Sequence, residues 1–173
     1  MRIAIIGYSG AGKSTLARSL GRRYCCPVLH MDALHFRRDW QEREDGKARF
    51  ILSAYLRNPD WVIEGNYRSL ALDRRLEEAD HILILRLPRL CCLRQAYGRY
   101  RQNRGRVREG MAPGCVEKFD FSFLWWLLWR GRSGARRRLY KKIGAQYGEK
   151  VTLCRSRREV TRLLEAGLPG AAP

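Results

Sequence analysis

The chain predicts a three-layer α/β fold, a parallel sheet covered by helices, and three observations carry that prediction. Five short runs are almost wholly apolar, as strands buried on both faces must be. Amphipathic stretches of helical length separate them, so strands and helices alternate. The first run passes through a glycine-rich turn directly into the first amphipathic stretch, the junction that a phosphate-binding loop requires. The 173 residues fit one domain, taken as 1–166. Residues 167–173, all Gly, Pro and Ala but for one Leu, have nothing to pack and are expected to form a flexible tail.

In chain order, strands are expected at Arg2 to Gly7, Val28 to Asp32, Trp61 to Glu64, His81 to Leu87 and Lys150 to Cys154. Helices are expected at Lys13 to Arg23, Gln41 to Asn58, Leu70 to Glu78, Arg89 to Gln102 and Ser156 to Ala166. A further helix runs from about Ser122 to Tyr147, with a break at Gly131 or Gly134. Residues 102–118 contain Gly105, Gly110, Pro113 and Gly114 among basic residues and lack apolar periodicity. They read as an inserted loop, and a loop this long in a compact domain is usually functional. No internal repeat and no low-complexity segment is present.

Composition bounds the function. An apolar fraction of 45% excludes a disordered chain, because burial can offset the entropy of ordering. Met1 and Arg2 lead straight into the first strand, leaving no room for a leader peptide, so a cytoplasmic protein is expected. The longest apolar run, Phe121 to Trp129, is far shorter than the roughly 20 residues that span a bilayer; it reads as a core segment. The six cysteines form no C-x-x-C pair, so structural zinc and disulfides are not expected and small buried hydrophobes are. The formal charge of +18 implies anionic partners, and between Arg86 and Lys142 the only acids are Glu109, Glu117 and Asp120.

Gly7 to Ser14 matches G-x-x-x-x-G-K-[ST] between a strand and a helix. Glycines let successive N–H groups of Gly7, Ser9, Gly10, Ala11 and Gly12 turn inward at the positive end of the helix dipole, where they cradle the phosphates of ATP. Lys13 supplies a point charge to the β- and γ-phosphates, the Ser14 hydroxyl is a ligand for Mg²⁺, and Thr15 is placed to bond the α-phosphate. Acids at the carboxyl ends of neighbouring strands share that crevice. Glu64 is accordingly a candidate to orient the magnesium, or else a cap. Asp32 is a candidate to align or deprotonate an acceptor hydroxyl, or else an N-cap or solvated turn residue. His35 lies three residues on, within reach of the crevice or bonded locally.

Arg99, Arg101, Arg104, Arg106 and Arg108 lead into and through the inserted loop. Guanidinium forks there could close over phosphates as a lid, with Arg104 and Arg108 the candidates for catalysis; the alternative is a solvated basic loop or a nucleic-acid patch. Trp125, Trp126 and Trp129 lie at helical spacing and read as core in preference to a base-stacking platform.

The segments MRIAIIGYSGAGKSTLARSLG, HMDALHF, WVIEGNYR and RGRVREGMAPGC resemble the bacterial DNA topology modulation proteins, FlaR-related, a branch close to adenylate and shikimate kinases. The resemblance implies a P-loop NTPase of the nucleoside or small-molecule kinase type, its five strands in the order 2-3-1-4-5, with an arginine-rich lid. By that comparison Asp32 resembles the acceptor-directed aspartate of small-molecule kinases, and Glu64, Gly65 and Arg68 resemble the D-G-F-P-R turn of adenylate kinases. Asn66 and Tyr67 replace Phe-Pro there, so the adenylate pocket is not carried over and the acceptor stays open. Gly65, Asn66 and Arg68, with Asp32 and His35, are the expected substrate-binding residues. The function read from the sequence is ATP- and Mg²⁺-dependent phosphoryl transfer to a nucleotide or other small acceptor. Its rival is an ATP-binding, nucleic-acid-associated protein that acts on DNA topology. Weak nucleic-acid binding through the basic surface is expected in either case.

Overall fold

The computed structural model describes residues 1–170. Five parallel strands, β1 (Arg2–Gly7), β2 (Val28–His30), β3 (Trp61–Glu64), β4 (His81–Leu85) and β5 (Val151–Cys154), form one sheet in the order β2-β3-β1-β4-β5. Each is short and apolar because the sheet is covered on both faces, and Ile3, Ile5, Trp61, Val62, Ile63, Ile82 and Leu83 are completely buried. The helices are α1 (Lys13–Arg23), α2 (Met31–His35), α3 (Asp45–Tyr55), α4 (Leu72–Glu78), α5 (Arg89–Gln102), α6 (Phe121–Leu128), α7 (Gly134–Tyr147) and α8 (Arg157–Ala166).

Helix α1 packs on β1, β2 and β3 and touches α8. It carries the chain leftward from β1 to β2, whereas the later crossovers run rightward to β4 and β5. The right-handedness of parallel crossovers therefore puts α1 on one face and α4 and α7 on the other. Capping follows the sequence. In α8 the Ser156 side chain accepts from the Glu159 N–H, and its hydroxyl donates back to the Glu159 carboxylate. Asp120 and Ser133 cap α6 and α7, their side chains accepting from the N–H groups of Phe123 and Arg136.

The break between α6 and α7 falls where the glycines place it. Arg130–Arg132 forms a 3-10 turn that turns Arg132 inward. Its guanidinium is buried, donates to the carbonyls of Leu87 and Leu127, and lies 4.1 Å over the ring of Tyr8. Arg75 is a second buried guanidinium. It donates to the carbonyls of Leu70, Gly65 and Tyr67 and so ties down the loop that follows β3. Burial lowers its pKa to about 10, with Glu64 acting to raise it, and Arg75 still carries its charge at neutral pH.

Several expectations are corrected. Strand β2 stops at His30 and the chain turns at once into the short helix α2, so Asp32 lies in a first helical turn and not at a strand end. Strand β4 ends at Leu85, and the helix expected over Gln41 to Asn58 is confined to Asp45–Tyr55. The Phe121 to Trp129 run is core on one side only: Leu127 is buried, but Phe121, Trp125 and Trp129 are 80%, 48% and 52% exposed. Trp125 and Trp129 stack on each other, ring centroids 4.8 Å apart. The tail does not begin at Gly167, because Leu168 is buried and its N–H donates to the Tyr24 hydroxyl; residues 171–173 of the expected tail lie outside the described residues. Cys26, Cys92, Cys115 and Cys154 are buried, as small hydrophobes are. Among the described residues no helix is long and apolar enough to cross a membrane.

Candidate active site

The turn from β1 into α1 has Gly7, Gly10 and Gly12 at φ of 141°, 70° and 87°. At Gly7 a Cβ would stand 2.3 Å from the Leu85 carbonyl oxygen, so only glycine lets the loop leave the sheet here. The Ala11 N–H bonds the Tyr8 carbonyl at 3.2 Å and tightens the curl. The N–H groups that follow open the 11-residue helix α1, whose first turn carries no acid, and together they form a nest for an anion. Lys13 is half-buried and donates to the Tyr8 carbonyl at 3.1 Å. Desolvation holds its pKa below the ordinary lysine value against the raising effects of Glu64 and Asp32.

Strand register supplies the acid beneath that nest. Glu64 pairs with Ile5 on one side and His30 on the other, which fixes its carboxylate between β1 and β2. It is 3% exposed, accepts from the Ser14 hydroxyl at 2.8 Å, and lies 3.0 Å from Nδ1 of His30. Burial pushes the Glu64 carboxyl up, but His30, Lys13 and Ser14 together bring it below the usual value, so it is a carboxylate. A hydroxyl and a carboxylate in contact beside a phosphate nest suit a hard cation. Among the described residues no group of three or more His, Cys, Asp and Glu could hold a metal unaided. Ser14 and Glu64 are the residues that could hold such a cation, with ligands from outside the chain completing its shell.

On the far side of the crevice Asp32 is held from two directions. Its Oδ1 accepts from the Tyr67 hydroxyl at 2.8 Å and its Oδ2 from Arg108 at 3.2 Å. Burial and the Asp32 charge push the Tyr67 phenol well above its ordinary value, so it stays a donor. Arg108 also forms an ion pair with Glu117 at 3.1 Å, and the other oxygen of Glu117 accepts from Arg99 at 2.6 Å. Tyr67, Asp32, Arg108, Glu117 and Arg99 are thus one connected chain of charge.

The inserted loop doubles back on itself. Val107 bridges Val116, and the Glu117 N–H donates to the Arg106 carbonyl. It leans on residues 37–40, where Trp40 donates its indole N–H to the Val116 carbonyl and Cys115 bonds the Arg37 carbonyl. Gly110 packs so closely on His30 that a Cβ would lie 2.5 Å from the imidazole.

Not every expected site residue meets the crevice. Arg104 is exposed in the turn closed by Asn103 and Arg106, and among the described residues it makes no hydrogen bond or ion pair; Arg99 and Arg108 are the arginines brought inside. Asn66 is committed to the backbone, its amide accepting from the Gly7 N–H at 3.0 Å and donating to the Gly7 carbonyl at 2.7 Å. That pair clips the start of the phosphate loop to the end of β3. His35 packs on Tyr67, ring centroids 4.6 Å apart, and lies 3.6 Å from Glu42, so it supports the tyrosine that holds Asp32. Arg68 is exposed and lines a cavity of about 180 Å³ with Asn66, Arg136 and Tyr140. Gly65, at φ 140°, lets α2 pass: a Cβ there would be 2.5 Å from the Met31 Cβ. Thr15 is exposed on the first turn of α1.

Sequence reasoning missed Tyr67, Glu117, Arg99 as an individual, and Arg75. Glu117 had a signal, being one of three acids in a long basic segment. Because it alone pairs both arginines, Glu117→Ala is expected to free the loop and to raise the rate of tryptic cleavage after Arg104 and Arg106 about tenfold, in proportion to the population of the open loop. An unchanged digestion rate in the folded variant would show that Glu117 does not latch the loop.

No protein-family model matches the chain, and no curated protein matches it. Among solved structures it is similar to a shikimate kinase from Acinetobacter baumannii in complex with shikimate, at 16% identity and a TM-score of 0.54, over 95% of this chain and 89% of that one. A shikimate kinase from Bacteroides thetaiotaomicron aligns at 15% identity and a TM-score of 0.49, over 96% of this chain and 95% of that one. The five-stranded parallel sheet in the order 2-3-1-4-5 is the P-loop kinase fold.

Proposed function

We propose that the chain is a phosphotransferase that uses ATP and Mg²⁺ and takes a small hydroxyl- or phosphate-bearing acceptor, a nucleotide among the candidates. The observation that carries this reading is the opposition of two built half-sites. One is the nest with Lys13 and the Ser14–Glu64 contact, the other Asp32 held by Tyr67 and Arg108. When bound, Mg²⁺ would neutralise phosphate charge.

The chain's own residues do the rest. Backbone N–H groups and Lys13 fix the transferring phosphate, and Asp32 accepts a hydrogen bond from the acceptor hydroxyl and aligns it for in-line attack. As the acceptor enters, Arg108 leaves Asp32 for the phosphate charge, while Glu117 keeps Arg108 and Arg99 facing the crevice. The inserted loop then acts as the lid that excludes water. The resemblance to topology modulation proteins remains part of this reading as an expectation about family.

A second reading is favoured by the exposed stack of Trp125 and Trp129 beside Phe121 on a chain of charge +18. It is an ATP-binding protein associated with nucleic acid, since exposed aromatic rings and unpaired arginines suit a single strand. Salt separates the two. Attraction through counterion release falls steeply with ionic strength, whereas an acceptor enclosed in a crevice is poorly screened. ATP consumption is expected to rise with at least one member of a panel of nucleosides, nucleotides and phosphorylated metabolites, and to persist at about 0.2 M salt. Tight DNA binding at that salt, with turnover stimulated by DNA and by no small acceptor, would sink the kinase reading.

A further inference from the structure

We infer that the chain has a second polyanion site, distinct from the phosphate loop, in the groove between α7 and the β4–β5 edge of the sheet, built for an organic polyphosphate of nucleotide size. A cavity of about 600 Å³ lies there, within the range that accepts a small ligand. Its floor is apolar: Ile84 and Leu153 sit side by side in register, with Val151 beyond. Its walls are cationic, formed by Arg86, Arg137, Arg138, Lys141 and Arg155. No acid lines the cavity, and none of those five side chains has a carboxylate within ion-pair distance among the described residues.

Five like charges round one hollow repel each other unless an anion joins them, and low-dielectric walls focus their field on whatever enters. Arg86 adds a specific demand, because its Nε is buried without a hydrogen-bond partner; a buried donor left unpaired is a cost that an acceptor oxygen removes. The hollow is also kept open by the sequence. Gly144 lies inside α7, where glycine disfavours the helix, and a Cβ built on it meets nothing within 4 Å. Gly144 itself lines the hollow, so a bulky side chain there would take up open space at its wall. Forked guanidiniums suit phosphate oxygens, and the aliphatic floor suits a planar base.

The experiment uses ATP as the probe and calorimetry at about 0.2 M salt, on Lys13→Ala so that the phosphate loop contributes little. ATP is expected to bind Lys13→Ala with a stoichiometry near one, and to lose at least tenfold in affinity when Gly144→Phe is added. That second change fills the groove and alters no charge. The double variant Arg86→Gln, Arg155→Gln, in the same Lys13→Ala background, is expected to lose affinity as well and serves if Gly144→Phe fails to fold. Absence of ATP binding in Lys13→Ala would overturn the site. Binding that survives Gly144→Phe undiminished in a folded protein would do so too, since it would then come from elsewhere on the chain. The outcome is independent of the phosphate-loop reading, which wild-type turnover tests.

Discussion

Lys13→Ala is expected to lower ATP-dependent turnover on the order of a thousandfold while leaving the fold intact. On the proposed function, the charge that Lys13 would bring to the β- and γ-phosphates acts in a desolvated setting, and removal of one well-placed stabilising donor from such a site typically costs about 10²- to 10³-fold. A full charge belongs at the upper end of that range. The fold should survive because the ammonium's one hydrogen bond is to the Tyr8 carbonyl, and the helix it opens is anchored by the buried Leu16, Ala17 and Leu20. Circular dichroism and thermal unfolding check the second statement, and turnover at equal purity checks the first. Wild-type rates in a folded variant would remove Gly7 to Ser14 as the phosphate site of the reaction.

Asp32→Asn is expected to lower acceptor-dependent turnover by roughly 10²- to 10⁴-fold, the usual contribution of a positioned proton acceptor, with ATP affinity by calorimetry changed little. The substitution preserves shape. The asparagine oxygen can still accept from Tyr67, so the loop after β3 keeps its anchor, while the negative charge facing Arg108 is gone. A loss confined to kcat with KM for ATP held would place Asp32 on the acceptor. A collapse of ATP affinity with unchanged turnover per bound ATP would move it into the metal shell. Arg108, carried by the inserted loop, is the guanidinium that pairs with the Asp32 carboxylate.

Much of the fold was legible locally. The alternation of apolar runs and amphipathic stretches requires a parallel sheet, and the positions of all five strands follow from it with errors of a few residues at their ends. The errors have a cause. At Val28 to Asp32 the apolar run continues from a strand into the first turn of α2, and hydrophobicity alone cannot separate a strand residue from a buried helical one. Met31 is fully buried in the first turn of α2. The Phe121 to Trp129 run failed differently. An apolar helix is expected to bury all round, but its aromatic face at Phe121, Trp125 and Trp129 lies at the surface, uncovered by any element among the described residues.

By itself the sequence determined the glycine-rich turn between β1 and α1, because glycines at fixed spacing between a strand and a helix dictate the loop through steric limits that act within a few residues. It also determined Lys13 and Ser14, which are carried by that loop, and the acid at the end of β3. Only the tertiary structure decided what surrounds Asp32. Arg108 and Asp32 are 76 positions apart, as are Arg99 and Glu117 by 18, and no local pattern selects Arg108 over Arg104 from a run of arginines. The choice was made by the way the inserted loop folds back along residues 37–40, which buries Glu117 and obliges the nearest guanidiniums to pair with it. A buried carboxylate must find its partners wherever the chain brings them, and that requirement is written in three dimensions and not along the sequence.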